Sequence, residues 1–120
     1  MNLVNPQLHI EIENQKKLFL RFTALIDTGF NGFISIPKGV AKKLDLRPKG
    51  IKSVSYGSGD IYDEIVTSAY IYIEDLVYEA DLLVTEGDDI LLGTKFLTMV
   101  CLSLDKDLVF SFKNQEIRFE

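Results

Sequence analysis

The residues best suited to chemistry stand in one short stretch, "ALIDTGFNGF", residues 24–33. An apolar run that ends at Ile26 leads directly into Asp27, and Thr28 and Gly29 follow at once. An acid in a loop normally lies in a polar stretch, whereas this carboxylate closes a strand-like segment and precedes a sharp turn. Carboxylates serve enzymes as general acids and bases, which makes Asp27 the first candidate for a functional residue.

Residue types that support other chemistry are scarce. The one cysteine, Cys101, lies in the apolar, strand-like run "TMVCLSL", which predicts a small buried side chain and excludes a disulfide within the chain or a cysteine cluster for zinc. The one histidine, His9, alternates with Leu8 and Ile10, which is typical of the outward face of a strand. No GxSxG motif is present. Chemistry that depends on a serine or cysteine nucleophile is therefore not favoured.

Composition bounds the class of protein. The chain has 120 residues, 47% of them hydrophobic, and a formal net charge of −5. This length suits one domain with a substantial core. The acidic balance argues against a nucleic-acid partner, because phosphate contacts need clustered Lys and Arg. The N-terminal stretch has no sustained apolar core after a basic start, and no segment has the length of a membrane span. We therefore expect a cytoplasmic protein without a membrane partner.

Most of the elements that must position these residues show alternation of side chains with a period of two, which is typical of strands. Strand-like runs rich in Val, Ile, Tyr and Phe recur from "LHIEIE" to the C-terminal "EIRF", with "VCLSLD" and "LVFSF" among them. Turn signals separate the runs. Two short helices are predicted, one in "PKGVAKKLDL" and one in "GTKFLTM". Many short strands with sparse helix predict an all-β fold with a closed sheet or barrel.

The order of motifs resembles the retroviral-type (retropepsin-like) aspartic proteases, particularly the small stand-alone bacterial and archaeal members. "ALIDTG" matches the active-site loop, "YGSGDIY" stands in the flap position, and "ILLGTKFL" matches the apolar-apolar-Gly element with its helix. Each motif alone is weak, but their combination and order are specific, and the resemblance covers nearly the whole chain. It implies a single retropepsin-like domain over residues 1–120, with one lobe of the acid-protease β-barrel.

The resemblance also implies an activity. Members of this family are homodimeric endopeptidases in which each subunit supplies one Asp, here Asp27. When two carboxylates lie this close together they share a proton, because both cannot easily be ionised at once. The charged member activates a water molecule and the protonated member stabilises the developing oxyanion. The implied partners are a peptide or protein substrate and a second copy of the chain, and no metal or cofactor is needed.

Other roles follow from the resemblance. Gly29 would let two copies of the loop approach, and Thr28 would hydrogen-bond across the dimer. Leu91, Leu92 and Gly93 would pack beneath the loop, although an ordinary buried strand end explains them equally. The flap and substrate groove would include four residues around a glycine-rich tip, which a plain β-hairpin turn would also explain: Tyr56, Gly57, Ser58 and Gly59.

Two departures from the retroviral pattern keep alternatives open. Phe30 follows Gly29 where retroviral members usually carry Ala or Ser, and it could line a specificity pocket or fill core. Thr94 follows Gly93 where many members carry an Arg. One alternative is therefore a non-catalytic peptide-binding or dimerisation module that keeps the aspartic-protease barrel. Another is an unrelated small β-barrel in which Asp27 is a turn residue.

Overall fold

The computed structural model describes residues 7–55, 59–103, 109–112 and 115–118, and for residues 101–103 and the last two stretches it describes the backbone alone. Nine strands and two helices follow one another along these described stretches. They are β1 (Gln7–Glu13), β2 (Phe19–Ile26), β3 (Ile34–Pro37), α1 (Lys38–Lys43), β4 (Gly50–Ser55), β5 (Ile61–Ile73), β6 (Leu76–Thr85), β7 (Ile90–Leu92), α2 (Thr94–Ser103), β8 (Val109–Phe112) and β9 (Gln115–Arg118).

Six strands close into a barrel. Strand β1 pairs antiparallel with β2 on one side and with β5 on the other, so the order β1-β2-β7-β3-β6-β5 returns to β1. Strand β4 pairs with β5 outside this ring, and β8 pairs with β9 in a separate two-stranded sheet. The predicted closed β-barrel with two short helices is confirmed.

The alternation seen in the sequence sets which face of each strand forms the core. In β1 the residues Leu8, Ile10 and Ile12 are buried, while the polar residues between them face outward. The same period continues in β5, where Ala69, Ile71 and Ile73 are buried. Because side chains alternate across a strand, one register brings all these apolar side chains into the barrel.

Both helices differ in length from the prediction. The predicted "PKGVAKKLDL" helix ends at Lys43, because Asp45 takes a left-handed φ of 49° and Leu46 donates a backbone hydrogen bond of 2.9 Å to the carbonyl of Ala41. Helix α2 is longer than predicted and runs to Ser103, so the strand predicted from "VCLSLD" is wrong at its start. The apolar run there has helical spacing, with its buried residues one and four positions apart at Phe96, Leu97 and Val100.

Strand β7 positions the candidate loop. It lies between β2, with which it runs parallel, and β3, with which it runs antiparallel. The chain therefore leaves β2 at Ile26, turns, and enters β3 at Ile34 on the far side of β7. A transverse row of fully buried residues continues from this point across five strands: Ile26, Leu92, Ile34, Leu82 and Thr67. The loop over residues 27–33 thus stands on a packed, hydrogen-bonded base.

Within the stretches that the structure describes, no helix combines the length and the apolar character needed to cross a bilayer.

Candidate active site

Asp27 stands at the point where β2 ends. Its backbone N–H donates to the carbonyl of Leu92 at 3.1 Å, which extends the parallel pairing of β2 with β7 by one residue. Its own carbonyl accepts from the N–H of Phe30 at 3.2 Å, which closes a tight turn through Thr28 and Gly29. The carboxylate is half-buried, and its Oδ1 accepts from the N–H of Gly29 at 2.9 Å. Backbone groups therefore fix both the position and the orientation of this acid.

Thr28 and Gly29 are exposed at the tip of this turn. A Cβ added to Gly29 would lie 3.3 Å from Oδ1 of Asp27, which is a tight contact with the carboxylate. The small residue thus leaves one side of the carboxylate uncovered. A second copy of the turn could approach from this side, as the resemblance predicts.

The start of α2 holds the rest of the loop. Three consecutive backbone N–H groups, of Gly93, Thr94 and Lys95, donate to loop carbonyls. Gly93 donates to Phe33 at 2.7 Å, Thr94 to Phe30 at 2.9 Å and Lys95 to Gly32 at 3.3 Å. The first N–H groups of a helix have no partner within the helix, so they are free to bind the loop. We call these three hydrogen bonds the backbone clasp.

Gly93 is required by the clasp. It is buried, and a Cβ at this position would lie 2.1 Å from the carbonyl oxygen of Gly32 and 2.8 Å from that of Phe30. Both distances are far below any normal contact, and the obstructing atoms belong to the backbone. The glycine therefore permits the loop and the helix start to touch directly.

Leu92 lies in the core, whereas Leu91 lies nearer the surface. The side chain of Leu92 is fully buried in the transverse row, and its carbonyl receives the N–H of Asp27. Leu91 is half-buried on the opposite face of β7. The structure therefore places Leu92 and Gly93 against the loop.

Phe30 folds back over its own loop. It is half-buried, and a Cβ added to Gly32 would lie 2.6 Å from Cζ of the Phe30 ring, so the ring covers Gly32. Its carbonyl accepts from Thr94 Oγ1 at 3.5 Å as well as from the Thr94 N–H. Thr94, which stands where many retroviral members carry an Arg, thus contacts the loop through its backbone N–H and hydroxyl.

The predicted flap corresponds to a hairpin that leaves the barrel. Strand β4 and the first residues of β5 pair from Gly50↔Val66 to Ser55↔Ile61. Most of their residues are exposed, including Ile51 at 74% and Ile61 at 72%. We call the described part of this hairpin, residues 50–55 and 59–66, the arm. Of the predicted tip residues, Gly59 has a left-handed φ of 85°, whereas Tyr56, Gly57 and Ser58 lie outside the described residues.

Sequence reasoning did not assign the backbone groups of Gly32, Phe33 and Lys95 to the site. The only signal at this point is the Asn31-Gly32 dipeptide, which indicates a turn. Backbone hydrogen bonds use the same atoms in every residue, so no residue type reveals them. Among the residues that the structure describes, no group of three or more His, Cys, Asp or Glu lies together as a metal site would require.

Comparison with solved structures identifies the fold. The EIAV protease, solved in complex with the inhibitor HBY-793, superposes with a TM-score of 0.61 at 18% sequence identity, over 92% of this chain and 98% of that chain. The simian foamy virus (mac) protease gives a TM-score of 0.56 at 20% identity, over 79% of this chain and 94% of that one. A foamy viral protease-reverse transcriptase, in complex with an RNA/DNA hybrid, gives 0.53 at 17% identity, over 78% of this chain and 12% of that one.

Comparison by sequence finds no such relatives: no protein-family model matches the chain, and no curated protein sequence matches it. The fold is nevertheless that of the retroviral proteases, as the motif order predicted. The likeness extends over nearly the whole length of two of these proteases.

Proposed function

We propose that this protein is a homodimeric aspartic endopeptidase. The observation that carries the proposal is the carboxylate of Asp27, which ends a buried strand and is oriented by the N–H of Gly29 in a barrel of the retroviral-protease type. Catalysis needs groups held in position before the substrate arrives, and the backbone clasp supplies this.

A second copy supplies the other carboxylate in this proposal. The sequence contains one Asp-Thr-Gly, and hydrolysis without a covalent intermediate uses one carboxylate as base and one as acid. The exposed turn at Thr28 and Gly29 offers a small, uncrowded surface for the approach of the same turn across a two-fold axis. Such an isologous contact would bring the two Asp27 side chains together.

The reaction proceeds by attack of water on the peptide carbonyl. The ionised Asp27 removes a proton from the water while the water oxygen bonds to the carbonyl carbon. The protonated Asp27 of the second copy donates its proton to the carbonyl oxygen. The resulting gem-diol collapses when the Asp27 that holds the water's proton donates it to the leaving nitrogen, the C–N bond breaks, and the ionised Asp27 of the second copy takes a proton from a hydroxyl of the intermediate. Each carboxylate then holds the proton state from which the next cycle begins.

The arm gives a place for an extended peptide. Its exposed isoleucines, Ile51 and Ile61, lie on the same face of the hairpin, because Ile51 pairs with Ile65 and Ile61 with Ser55. This face also carries the hydrogen-bonded pair Ser53 and Asp63 between the isoleucines, and the hairpin would cover a bound peptide and exclude water from the site. The peptide itself would lie extended and hydrogen-bond through its backbone.

Replacement of Asp27 by Asn tests the proposal directly. An Asn side chain keeps an oxygen for the N–H of Gly29, so we expect the fold to persist while peptide hydrolysis falls by about 10²- to 10⁴-fold. The measurement is cleavage of an unfolded protein substrate from acidic to neutral pH, with the fragments identified by mass spectrometry. Asp88→Asn, which removes one charge from an exposed turn, is the matched control and should cleave like the wild type. Equal cleavage by Asp27→Asn and the wild type would exclude this mechanism.

The pH dependence of the dimer gives an independent test. Two carboxylates held together repel each other when both are ionised, so the dimer should weaken as the pH rises from acidic to neutral. Sedimentation equilibrium of the wild type and of Asp27→Asn measures this. The wild type should dissociate more readily at the higher pH, whereas the Asn variant should show a flat profile.

A non-catalytic peptide-binding or dimerisation module is the second candidate. The ring of Phe30 favours it, because it covers Gly32 beside the candidate acid where retroviral members carry a small side chain. This module would bind peptides without producing fragments at any pH. A monomer at micromolar concentration, with no cleavage of the unfolded substrate, would support it.

A further inference from the structure

A second surface of the barrel is distinct from the candidate active site. The outward faces of β2, β5 and β6 carry apolar side chains that are unusually exposed. Phe19 is 44% exposed, Tyr70 36% and Val77 53%. Soluble proteins seldom group such side chains on one face unless the face contacts something.

Carboxylates alternate with these apolar residues across the strands. In one row Glu13 pairs with Phe19 on β2 and with Tyr70 on β5, and Tyr70 pairs in turn with Glu79 on β6. In the neighbouring row Glu11 lies between Arg21 and Tyr72, and Tyr72 pairs with Val77. We call the surface formed by these residues the outer aromatic face: Phe19, Tyr70, Tyr72 and Val77 with Glu11, Glu13 and Glu79.

The outer aromatic face is ordered around Tyr72. Its hydroxyl donates to Oε1 of Glu13 at 2.7 Å, and its ring meets the ring of Phe19 edge-on with centroids 5.0 Å apart. The hydrogen bond to Glu13 is the largest cause that raises the pKa of Tyr72, followed by burial and by the negative charges nearby. Arg21 offsets part of this charge at one end of the row. The remainder of the face combines aromatic rings with an excess of negative charge.

Charge excludes several occupants of the face. Nucleic acids and anionic lipid surfaces would be repelled by Glu11, Glu13 and Glu79. A second copy docked through the same face would bring two surfaces of net negative charge together, which is unfavourable. A cationic segment of another protein suits both features, because ammonium and guanidinium groups pair with carboxylates and bind over aromatic rings, and their aliphatic stems cover apolar side chains.

We propose that the outer aromatic face is a docking surface for an extended, Lys- or Arg-rich segment of a partner protein. The aromatic rings of Phe19 and Tyr70 receive the cationic side chains, and Glu13 and Glu79 pair with their charges. Val77 contacts the aliphatic stems. This inference does not depend on the proposed peptidase activity, since none of these residues belongs to the loop over residues 27–33.

Fluorescence anisotropy with defined peptides tests the proposal. The probes are fluorescein-labelled peptides of twelve residues in which Ala alternates with Lys, Arg or Glu. The Asp27→Asn variant of the 120-residue chain is used, so that no probe is cleaved and the outcome is independent of catalysis. We expect the Lys and Arg probes to bind and the Glu probe not to bind.

Two variants of equal charge locate the binding site. Tyr70→Ala combined with Glu79→Gln removes one ring and one charge from the face and should weaken binding of the Lys probe at least about fivefold. Asp88→Asn removes one charge from an exposed turn elsewhere and should change the affinity by less than about twofold, as expected of a charge outside the contact. Amide chemical-shift changes on addition of the probe should centre on residues 11–13, 19, 70–72 and 77–79.

Four outcomes would overturn the proposal. The Lys and Arg probes could fail to bind at about millimolar concentration, which is the level of negligible affinity. Asp88→Asn could weaken binding as much as the double variant does, which would reduce the effect to net charge. The Glu probe could bind as well as the Lys probe. The shift changes could centre on residues 27–33, which would assign the binding to the candidate active site.

Discussion

The loop over residues 27–33 and the arm over residues 50–55 and 59–66 are held in opposite ways. The loop is joined to β7 and α2 by backbone hydrogen bonds, including the three of the clasp, and rests on buried residues. The arm is held by pairing of its two strands with each other, and most of its residues are exposed. At its base, Lys49 donates its backbone N–H to the carbonyl of Val66 at 2.7 Å and its Nζ to Asp81 at 2.8 Å.

This difference separates two tasks within one chain. Local opening requires little free energy where few buried contacts are lost, and much where a packed core must be disrupted. We therefore expect the arm to open without disturbing the loop. Under the proposed function, the acid would stay in position while the arm admits and releases the peptide.

The largest expected effect is the loss of the clasp. In Gly93→Ala the new Cβ would collide with the backbone of Gly32 and Phe30, so the loop and the helix start must separate. We expect a loss of about 3 kcal/mol in the free energy of unfolding, at the upper end for an overpacked core. Gly50→Ala in the arm is the control, because a Cβ there meets nothing within 4 Å, and it should leave stability unchanged or slightly raised. Urea unfolding measures both, and equal losses would contradict the contrast between the two regions.

A smaller effect should appear in amide hydrogen exchange. The N–H groups of Gly93 and Thr94 in the clasp should exchange at least about tenfold more slowly than those of β4, a difference of about 1.4 kcal/mol in opening free energy. Exchange followed residue by residue by NMR measures this. Equal protection in both regions would show that the arm opens only with the whole barrel.

The smallest effect concerns the base of the arm. The hydrogen bond and charge from Asp81 raise the pKa of Lys49 above its ordinary 10.5. A raised lysine pKa stabilises the folded state at neutral pH, and this contribution disappears as the pH rises through the folded-state value. Asp81→Asn should therefore be slightly less stable than the wild type at neutral pH, and the difference should vanish above the pKa of Lys49.

The measurement is thermal unfolding of both proteins from neutral to alkaline pH, with a parallel NMR titration of the Lys49 ammonium. Asp75→Asn in the β5–β6 turn removes the same charge from an exposed position and is the control. A difference between Asp81→Asn and the wild type that persists unchanged at alkaline pH would exclude the ion pair as its cause.

Local pattern predicted most of the strands. Alternation in "LHIEIE" and in "IYDEIVTSAYIYIE" gave β1 and β5, because burial on one face imposes a period of two. The end of α2 was mispredicted, since an apolar run such as "VCLSL" fits a strand or a helix and only tertiary packing decides between them. The order of the strands was not predicted, because no local pattern specifies that β7 lies between β2 and β3.

The candidate site was likewise predicted only in part from the sequence. Asp27 was singled out as a candidate because an acid at the end of an apolar run is unusual in type and place. The clasp was not found, because it joins main-chain atoms of residues far apart in sequence. Gly93 was expected to permit close contact, but which atoms it approaches could only come from the three-dimensional structure.

The clasp has a consequence for the order of events during protein synthesis. Its contacts join the loop to residues about 64 positions later, as between Phe30 and Thr94. A ribosome releases Asp27 long before it releases β7 and α2, so a nascent chain carries the acid without the strand and helix that orient it. Contacts of such long range also form late because they close a large segment of chain. A partly synthesised chain would therefore have the proposed catalytic residue but no competent site, and it could not cleave its neighbours on the same message.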